Sequence, residues 1–173
     1  MFSANLELIS FNSKQENDNL PITAAVDINQ KNIKIKYLLN QHFSYKYLAD
    51  QSKNSAITKQ VNLWEQEICF EFFIKHDTEY YEFNFHPSNQ YRIYHFSDYR
   101  SNQKIHNMSQ KPKMILNQDS FDVSFINPFA KLSPNNKLKI QIATIFKNKY
   151  FALKHNPAKP DFHDCKYYLV INI

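Results

Sequence analysis

Apolar residues occupy every second position along most of this chain, and that alternation limits its fold more than any other feature. A period of two puts alternate side chains on opposite faces of a strand, whereas a helix needs a period near 3.6. The alternating segments are separated by turn-like clusters such as NSKQENDN, HDTE and SPNN, and many short strands at regular spacing predict an antiparallel β-sandwich. The predicted strands are residues 6–11, 22–28, 33–39, 68–74, 80–87, 91–97, 114–118, 121–126, 138–146, 150–155 and 167–173.

Residues 44–61 form the longest interruption of this pattern. They are polar and lack periodicity, so we interpret them as a long loop with at most one helical turn. A chain of 173 residues can bury a sizeable core, and it shows no repeat, low-complexity tract or linker. The sequence therefore predicts a single domain over residues 1–173.

The composition excludes several classes of function. The chain has no glycine, so phosphate-binding loops of the Walker or dinucleotide type are excluded in their usual form, and Asn or Asp must serve turns with positive φ. The net charge is +5, but the lysines are scattered among apolar residues as on solvent-facing strand positions. We therefore expect no nucleic-acid partner.

The sequence also shows no targeting signal and no cofactor-binding motif. The chain has no apolar run long enough to span a bilayer, and its first residues lack the basic start and apolar stretch of a signal peptide. These features predict a cytoplasmic protein without a membrane partner, in which Cys69 and Cys165 are free thiols. No cofactor is predicted.

Residues 68–96 predict three consecutive strands whose register can be worked out. Facing residues of an antiparallel pair point to the same side, so apolar side chains should face each other. Phe72 is therefore placed opposite Phe83 in the first hairpin, and Phe85 opposite Ile93 in the second. The second face then carries three predicted rows, Glu71–Asn84–Tyr94, Phe73–Glu82–Phe96 and Cys69–His86–Arg92.

This second face differs from an ordinary solvated sheet surface. It mixes carboxylate, amide, guanidinium and aromatic groups in place of lysine and threonine. Sugars are bound by such mixtures, because planar polar groups pair with hydroxyls and aromatic faces contact the C–H side of the ring. The pattern alone leaves two interpretations open, a site for a small polar ligand and a polar outer surface with fortuitous aromatics.

Several motifs resemble those of a known family. They are Leu-Trp at 63–64, CFEFF at 69–73, YYEFNFHPS at 80–88, FSDYR at 96–100, ALKH at 152–155 and KPDFH at 159–163. In this order they resemble DOMON-like proteins, which are similar to type 9 carbohydrate-binding modules. The resemblance implies a jelly-roll-like, carbohydrate-binding-module-like sandwich. It also implies that Trp64, Glu71 and Arg92 match the aromatic clamp, carboxylate and arginine that hold a terminal sugar in relatives.

Together these observations predict non-catalytic binding of a small polar ligand, with a saccharide favoured. The predicted ligand-binding residues are Trp64, Glu71, Glu82, Asn84, Arg92, Tyr94, Asp161 and His163. Two alternatives remain open for the function: a protein–protein interaction module docking through the aromatic polar face, or a glycoside hydrolase using Glu71 and Glu82. The segment HNPAKPDFHDC, residues 155–165, also has two interpretations, since it could ligate a metal or line the ligand cleft.

Overall fold

The computed structural model describes residues 1–11, 22–39, 45–53, 62–132 and 136–173, and within them it is built from antiparallel strands. A short helix, α1, spans Tyr45–Ser52, and two 3₁₀ turns span Leu63–Glu65 and Cys165–Tyr167. The strands are β1 (Phe2–Ser10), β2 (Ile22–Ile28), β3 (Asn32–Leu38), β4 (Ile68–His76), β5 (Glu79–His86), β6 (Gln90–Phe96), β7 (Lys104–Ile105), β8 (Lys113–Leu116), β9 (Ser120–Ile126), β10 (Lys137–Phe146), β11 (Lys149–Ala152) and β12 (Leu169–Asn172).

The strands form two sheets that are joined where β1 pairs with β11. The first sheet has the order β1-β2-β3-β9-β8, and the second has the order β7-β6-β5-β4-β10-β11. Strand β12 pairs with the start of β10, while β11 pairs with its end. The end of β1 leaves the first sheet and pairs with β11 at Ile9 and Ser10. The predicted antiparallel β-sandwich is confirmed.

The main core lies between the two sheets and is largely aromatic. The Phe83 and Phe125 rings stack across it at 4.4 Å between centroids, and Phe70 packs on Phe121 at 4.7 Å. Offset ring pairs of this kind add to the stabilisation from apolar burial. The alternating residues that the sequence assigns to the inner face of β4, β5 and β6 supply this core, namely Phe70, Phe72, Ile74, Phe83, Phe85 and Ile93.

The outer face of the second sheet is covered as well. A smaller apolar cluster there includes Phe73, Tyr94 and Phe96, and it is closed by Leu63 from one 3₁₀ turn and by Phe162 and Tyr168 from the chain before β12. We call the two covering segments the Trp64 turn, Leu63–Glu65, and the covering loop, residues 155–168. Strands β4 and β5 are consequently buried on both faces, which their alternating sequence does not indicate.

The register of the first hairpin is confirmed, but that of the second is wrong by two residues. Phe72 lies opposite Phe83 as predicted, whereas Phe85 lies opposite Tyr91 instead of Ile93. The connecting turn is shorter than expected because Asn89 adopts φ 64° and its N–H donates to the His86 carbonyl at 3.0 Å. A shift of two preserves the faces and changes the rows to Glu71–Asn84–Arg92 and Phe73–Glu82–Tyr94.

Other differences from the sequence-based expectations are local. Each predicted strand overlaps an observed one, and β7 is the strand that the pattern misses. The expected loop at 44–61 contains α1, and the rest of it lies outside the described residues. No helix among the described residues is long and apolar enough to cross a membrane.

The turns use Asn and Asp where other chains use glycine. Positive φ occurs at Asp77, Asn89, Asn102 and Asn148, in agreement with the glycine-free composition. It also occurs at Lys147, in the β10–β11 turn, and at Arg100. An arginine has no such preference, and its left-handed backbone stores about 1–3 kcal/mol of strain, a cost found most often at functional sites.

Candidate functional site

A cleft of about 350 Å³ opens between the outer face of the second sheet and its covering segments. The sheet supplies its floor from β4, β5, β6 and β10, the Trp64 turn forms one wall, and the covering loop forms another. The residues that line it are Trp64, Glu71, Phe73, Glu82, Phe96, Arg100, Gln103, Ile145, Tyr150, Pro160, Phe162 and His163.

Two carboxylates form the polar part of the floor. Glu71 is 3% exposed and Glu82 is 4% exposed, on adjacent strands and in neighbouring rows. The Asn84 amide donates to Oε1 of Glu82 at 2.7 Å, and its own oxygen lies 3.5 Å from the Cys69 sulfur. The Cys69 thiol lies close enough to Glu71 to oppose the rise in the pKa of that carboxyl. Both carboxylates therefore keep acceptor capacity for a ligand in the cleft.

His163 reaches the floor from the covering loop, and Tyr80 holds its ring in place. The Tyr80 hydroxyl accepts the backbone N–H of Arg100 at 3.1 Å and lies 2.8 Å from Nδ1 of His163. The hydroxyl can donate to Nδ1 or accept from it, so the contact fixes the ring in either tautomer. The other ring nitrogen, Nε2, lies 3.6 Å from Oε2 of Glu82.

An ion pair at the cleft mouth ties the covering loop to the sheet. The Arg100 guanidinium donates to Oδ1 of Asp161 at 3.0 Å, and the Tyr99 hydroxyl donates to Oδ2 at 2.6 Å. The same carboxylate accepts the backbone N–H of His163 at 3.1 Å. Asp161 is therefore an internal anchor that positions Arg100 and His163, and it does not itself line the cleft.

Aromatic rings enclose the polar floor. Phe96 stacks on Tyr80 with centroids 4.5 Å apart and an interplanar angle of 3°. Trp64 packs edge-to-face on Tyr94 at 5.5 Å, which holds the indole beside the cleft. Phe73 contributes a third plane to the floor. A ligand in this space would meet carboxylates below and ring faces around it.

Burial shifts the ionisation of all three acid–base groups at the floor. It raises the pKa of Glu71 well above its usual value, and the nearby Glu82 charge adds to the rise. Burial also raises the pKa of Glu82 to about 7, although the Asn84 hydrogen bond and Arg100 oppose it. The pKa of His163 falls to about 4 because burial and Arg100 disfavour the imidazolium. A carboxyl whose pKa lies near neutral pH and an uncharged imidazole thus face each other.

The structure separates the predicted site residues into three groups. Trp64, Glu71, Glu82 and His163 line the cleft. Asn84, Tyr94 and Asp161 lie behind it and hold lining residues in place. Arg92 lies elsewhere, in a groove of about 400 Å³ beside β7 and β8, so its predicted contact with the ligand stays a prediction that this cleft does not support. The register is not the reason, since Arg92 lies opposite Asn84, in the same row as Glu71.

Sequence reasoning missed Arg100 and the aromatic residues of the covering loop as site residues. Arg100 ends the FSDYR motif, and its position after β6 gives no periodic signal that would aim it at the sheet face. Phe162 occurs within the PDFH segment, where only the polar residues attract notice. Their shared signal is the family resemblance, which includes both motifs.

The covering loop lines the cleft, as one of the two interpretations of residues 155–165 expects. Its polar residues have separate partners: His155 contacts the Ile9 carbonyl at 2.7 Å, and Asp164 caps the following 3₁₀ turn through the Lys166 N–H. Within the ranges that the structure describes, no three His, Cys, Asp or Glu side chains converge as a metal site would require.

The chain has neighbours among solved structures, whereas comparisons of its sequence found no match. No protein-family model and no curated protein sequence matches the chain. A candidate carbohydrate-binding protein from Bacteroides uniformis ATCC 8492 superposes with a TM-score of 0.65 at 13% identity, covering 99% of this chain and 86% of that one. A family 9 carbohydrate-binding module from Caldicellulosiruptor kristjanssonii, in complex with glucose, has a TM-score of 0.45 at 9% identity and coverages of 96% and 83%. The first likeness shows a shared β-sandwich fold, and the second is too distant to argue from.

Proposed function

We propose that this protein binds a saccharide in the cleft above Glu71 and Glu82 and releases it unchanged. The observation that carries the proposal is the pairing of two buried carboxylates with surrounding ring faces in one accessible cavity. Carboxylates with free acceptor capacity match sugar hydroxyls, which are donors on several sides of a small ring. Ring faces such as Trp64 and Phe96 match the apolar C–H faces of the same molecule.

The size of the cleft supports a small ligand. A volume of about 350 Å³ lies at the low end of small-molecule sites and suits one or two sugar rings. Because the floor is almost fully buried, a hydroxyl that reaches it exchanges water for a hydrogen bond in a dry site. Such bonds contribute about 0.5–1.5 kcal/mol each, and several of them give binding without any covalent step.

The fold is consistent with this role. The Bacteroides uniformis protein that shares it is a candidate carbohydrate-binding protein, and the motifs at 63–100 and 152–163 resemble DOMON-like proteins. We include membership of that family in the proposal, with the motifs as its support. The ligand class itself rests on the cleft chemistry.

Glycoside hydrolysis is the second candidate, and one observation favours it. Glu82 has a pKa of about 7 beside a second carboxyl, as a general acid requires. Binding is favoured because Asn84 donates to Glu82 at 2.7 Å and the neutral His163 imidazole lies 3.6 Å from the same carboxyl, an arrangement that orients Glu82 as an acceptor. The interaction-module alternative meets a steric difficulty, since the polar face lies beneath the Trp64 turn and the covering loop.

A thermal-shift screen against mono- and disaccharides tests the proposal. We expect at least one sugar to raise the melting temperature of the wild-type protein and to raise it less in Glu71→Gln. Glu7→Gln is the matched control, because it removes an exposed carboxylate from the first sheet. The absence of any shift across a broad panel would contradict the proposal. Turnover of a chromogenic glycoside would show instead that the protein is a glycoside hydrolase.

A further inference from the structure

We propose that the preferred ligand is an amino sugar whose primary ammonium group binds between Glu71 and Glu82. This inference rests on the proposed function and deepens it by naming a charge that the ligand carries. A neutral sugar would satisfy the acceptors of the floor, but it would bring no positive charge to stabilise the two carboxyls in their ionised form.

The positive groups around the cleft are already engaged elsewhere. Arg100 is bound to Asp161 at 3.0 Å, and Lys159 lies 3.4 Å from the other oxygen of the same carboxylate. The Arg100 side chain is also 53% exposed at the mouth, and its charge opposes the rise in the pKa of Glu82 without cancelling it. Among the described residues, no cation forms an ion pair with Glu71, and the imidazole of His163 is the nearest nitrogen base to Glu82.

The hydrogen-bond donors at the floor are fewer than the acceptors. The Cys69 thiol is directed at the Asn84 oxygen at 3.5 Å, and Glu82 has one amide N–H, from Asn84 at 2.7 Å, within hydrogen-bonding distance. An ammonium group has three N–H donors and no acceptor, so it can serve both carboxylates at once. A hydroxyl has a single donor and can serve one of them.

The surrounding rings favour a cation as well. Phe73, Phe96 and Trp64 line the cleft together with the two carboxylates. The negative face of an aromatic ring attracts an ammonium within about 6 Å, with a gain of about 0.5–2 kcal/mol that is larger where water is excluded. Carboxylates with aromatic rings around them therefore select for a positive charge more strongly than either group does alone.

Binding of the ammonium should release protons. In the free protein burial favours protonated carboxyls, whereas an ammonium at the floor stabilises their charged forms. Other polar groups face the pair and remain uncharged near neutrality because they are a buried thiol, phenols and a neutral imidazole. These are Cys69, Tyr80, Tyr94, Tyr168 and His163.

Isothermal titration calorimetry with glucosamine, glucose and N-acetylglucosamine tests the inference. The titrations are run more than one pH unit below the pKa of the glucosamine amine, so that the ligand is already the ammonium, in two buffers with different ionisation enthalpies. We expect glucosamine to bind about tenfold more tightly than both neutral sugars, since one charge-assisted contact contributes at least that much. We also expect a net release of protons with glucosamine alone.

The variant Glu71→Gln separates this inference from the proposed function. It retains a polar group at the floor and removes one charge, so the preference for glucosamine over glucose should fall while glucose binding persists. Neutral sugars that bind as tightly as glucosamine, or glucosamine binding without proton release, would overturn the inference and leave saccharide binding intact. Failure of every sugar, here and in the wider screen, would overturn both.

Discussion

The Nε2 atom of His163 lies 3.6 Å from Oε2 of Glu82, and the two side chains come from segments that are far apart in sequence. Burial raises the pKa of Glu82 and lowers the pKa of His163, because it favours the neutral form of each. The consequence is a pair of titrations that partly cancel in the pH dependence of stability.

The variant Glu82→Gln should reveal this cancellation. The raised pKa of Glu82 stabilises the fold below about pH 4.5, and that contribution is lost as the pH rises towards 7. The lowered pKa of His163 acts oppositely, because stability is lost as the pH falls from 6.5 towards 4. Without Glu82, the free energy of unfolding should rise more steeply between pH 4.5 and 6.5 than in wild type.

Urea denaturation at a series of pH values measures this difference. At pH above 7 the variant should also be more stable than wild type by a few kcal/mol, since the cost of a buried carboxylate is removed. Parallel pH profiles for the two proteins would show that Glu82 titrates normally. Glu7→Gln, which changes an exposed residue, should follow wild type.

Asp161→Asn should loosen the covering loop. Burial opposes ionisation of Asp161, yet hydrogen bonds from Tyr99 and Arg100 outweigh it and lower its pKa to about 2. We expect a loss of about 1–3 kcal/mol in unfolding free energy at neutral pH, and a weaker acid destabilisation between pH 3.8 and 2. Chemical denaturation measures both, with the exposed Asp27→Asn as control. Unchanged stability would refute the anchoring role.

The β5–β6 turn allows a test of how a chain without glycine makes tight turns. Asn89 has φ 64°, where a Cβ is unfavourable and asparagine is better tolerated than most residues. Asn89→Ala should cost about 1 kcal/mol, whereas Asn89→Gly should be neutral or slightly stabilising. Equal effects of the two substitutions on the urea midpoint would contradict the left-handed conformation.

Arg92 and Arg100 provide a test of where the ligand lies. Arg92 belongs to the groove beside β7 and β8, while Arg100 lines the cleft. Arg92→Ala should therefore leave the affinity for a bound sugar unchanged within twofold, and Arg100→Ala should weaken it several-fold. Calorimetry on both variants checks this. A larger loss for Arg92→Ala would place the ligand in the Arg92 groove instead of the cleft.

The sequence predicts the sandwich because alternation encodes the inner faces of the strands. Phe72 and Phe83 pair as expected, since any shift by one residue would expose the aromatic core. The second hairpin is ambiguous by two residues because such a shift keeps Ile93 on the inner face. Only the conformation of Asn89 decides between the two registers, and alternation does not report it.

The cleft is harder to predict than the fold for a physical reason. Its floor comes from strands, so Glu71 and Glu82 follow from periodicity. Its walls come from a turn and a loop, where Arg100 and Phe162 have no period to locate them. The resemblance to DOMON-like proteins singles out Trp64, which lies in a 3₁₀ turn and so escapes the strand pattern.

Fluorescence of Trp64 provides the most direct measurement, because it is the one tryptophan of the chain and lies in the cleft wall. Titration with sugars that stabilise the protein should change its emission saturably, and the midpoint should move to higher concentration in Glu71→Gln. We expect this shift with Glu7→Gln unchanged. A saturable sugar-dependent change that is identical in wild type and Glu71→Gln, or no change with any sugar, would contradict binding above the buried carboxylates.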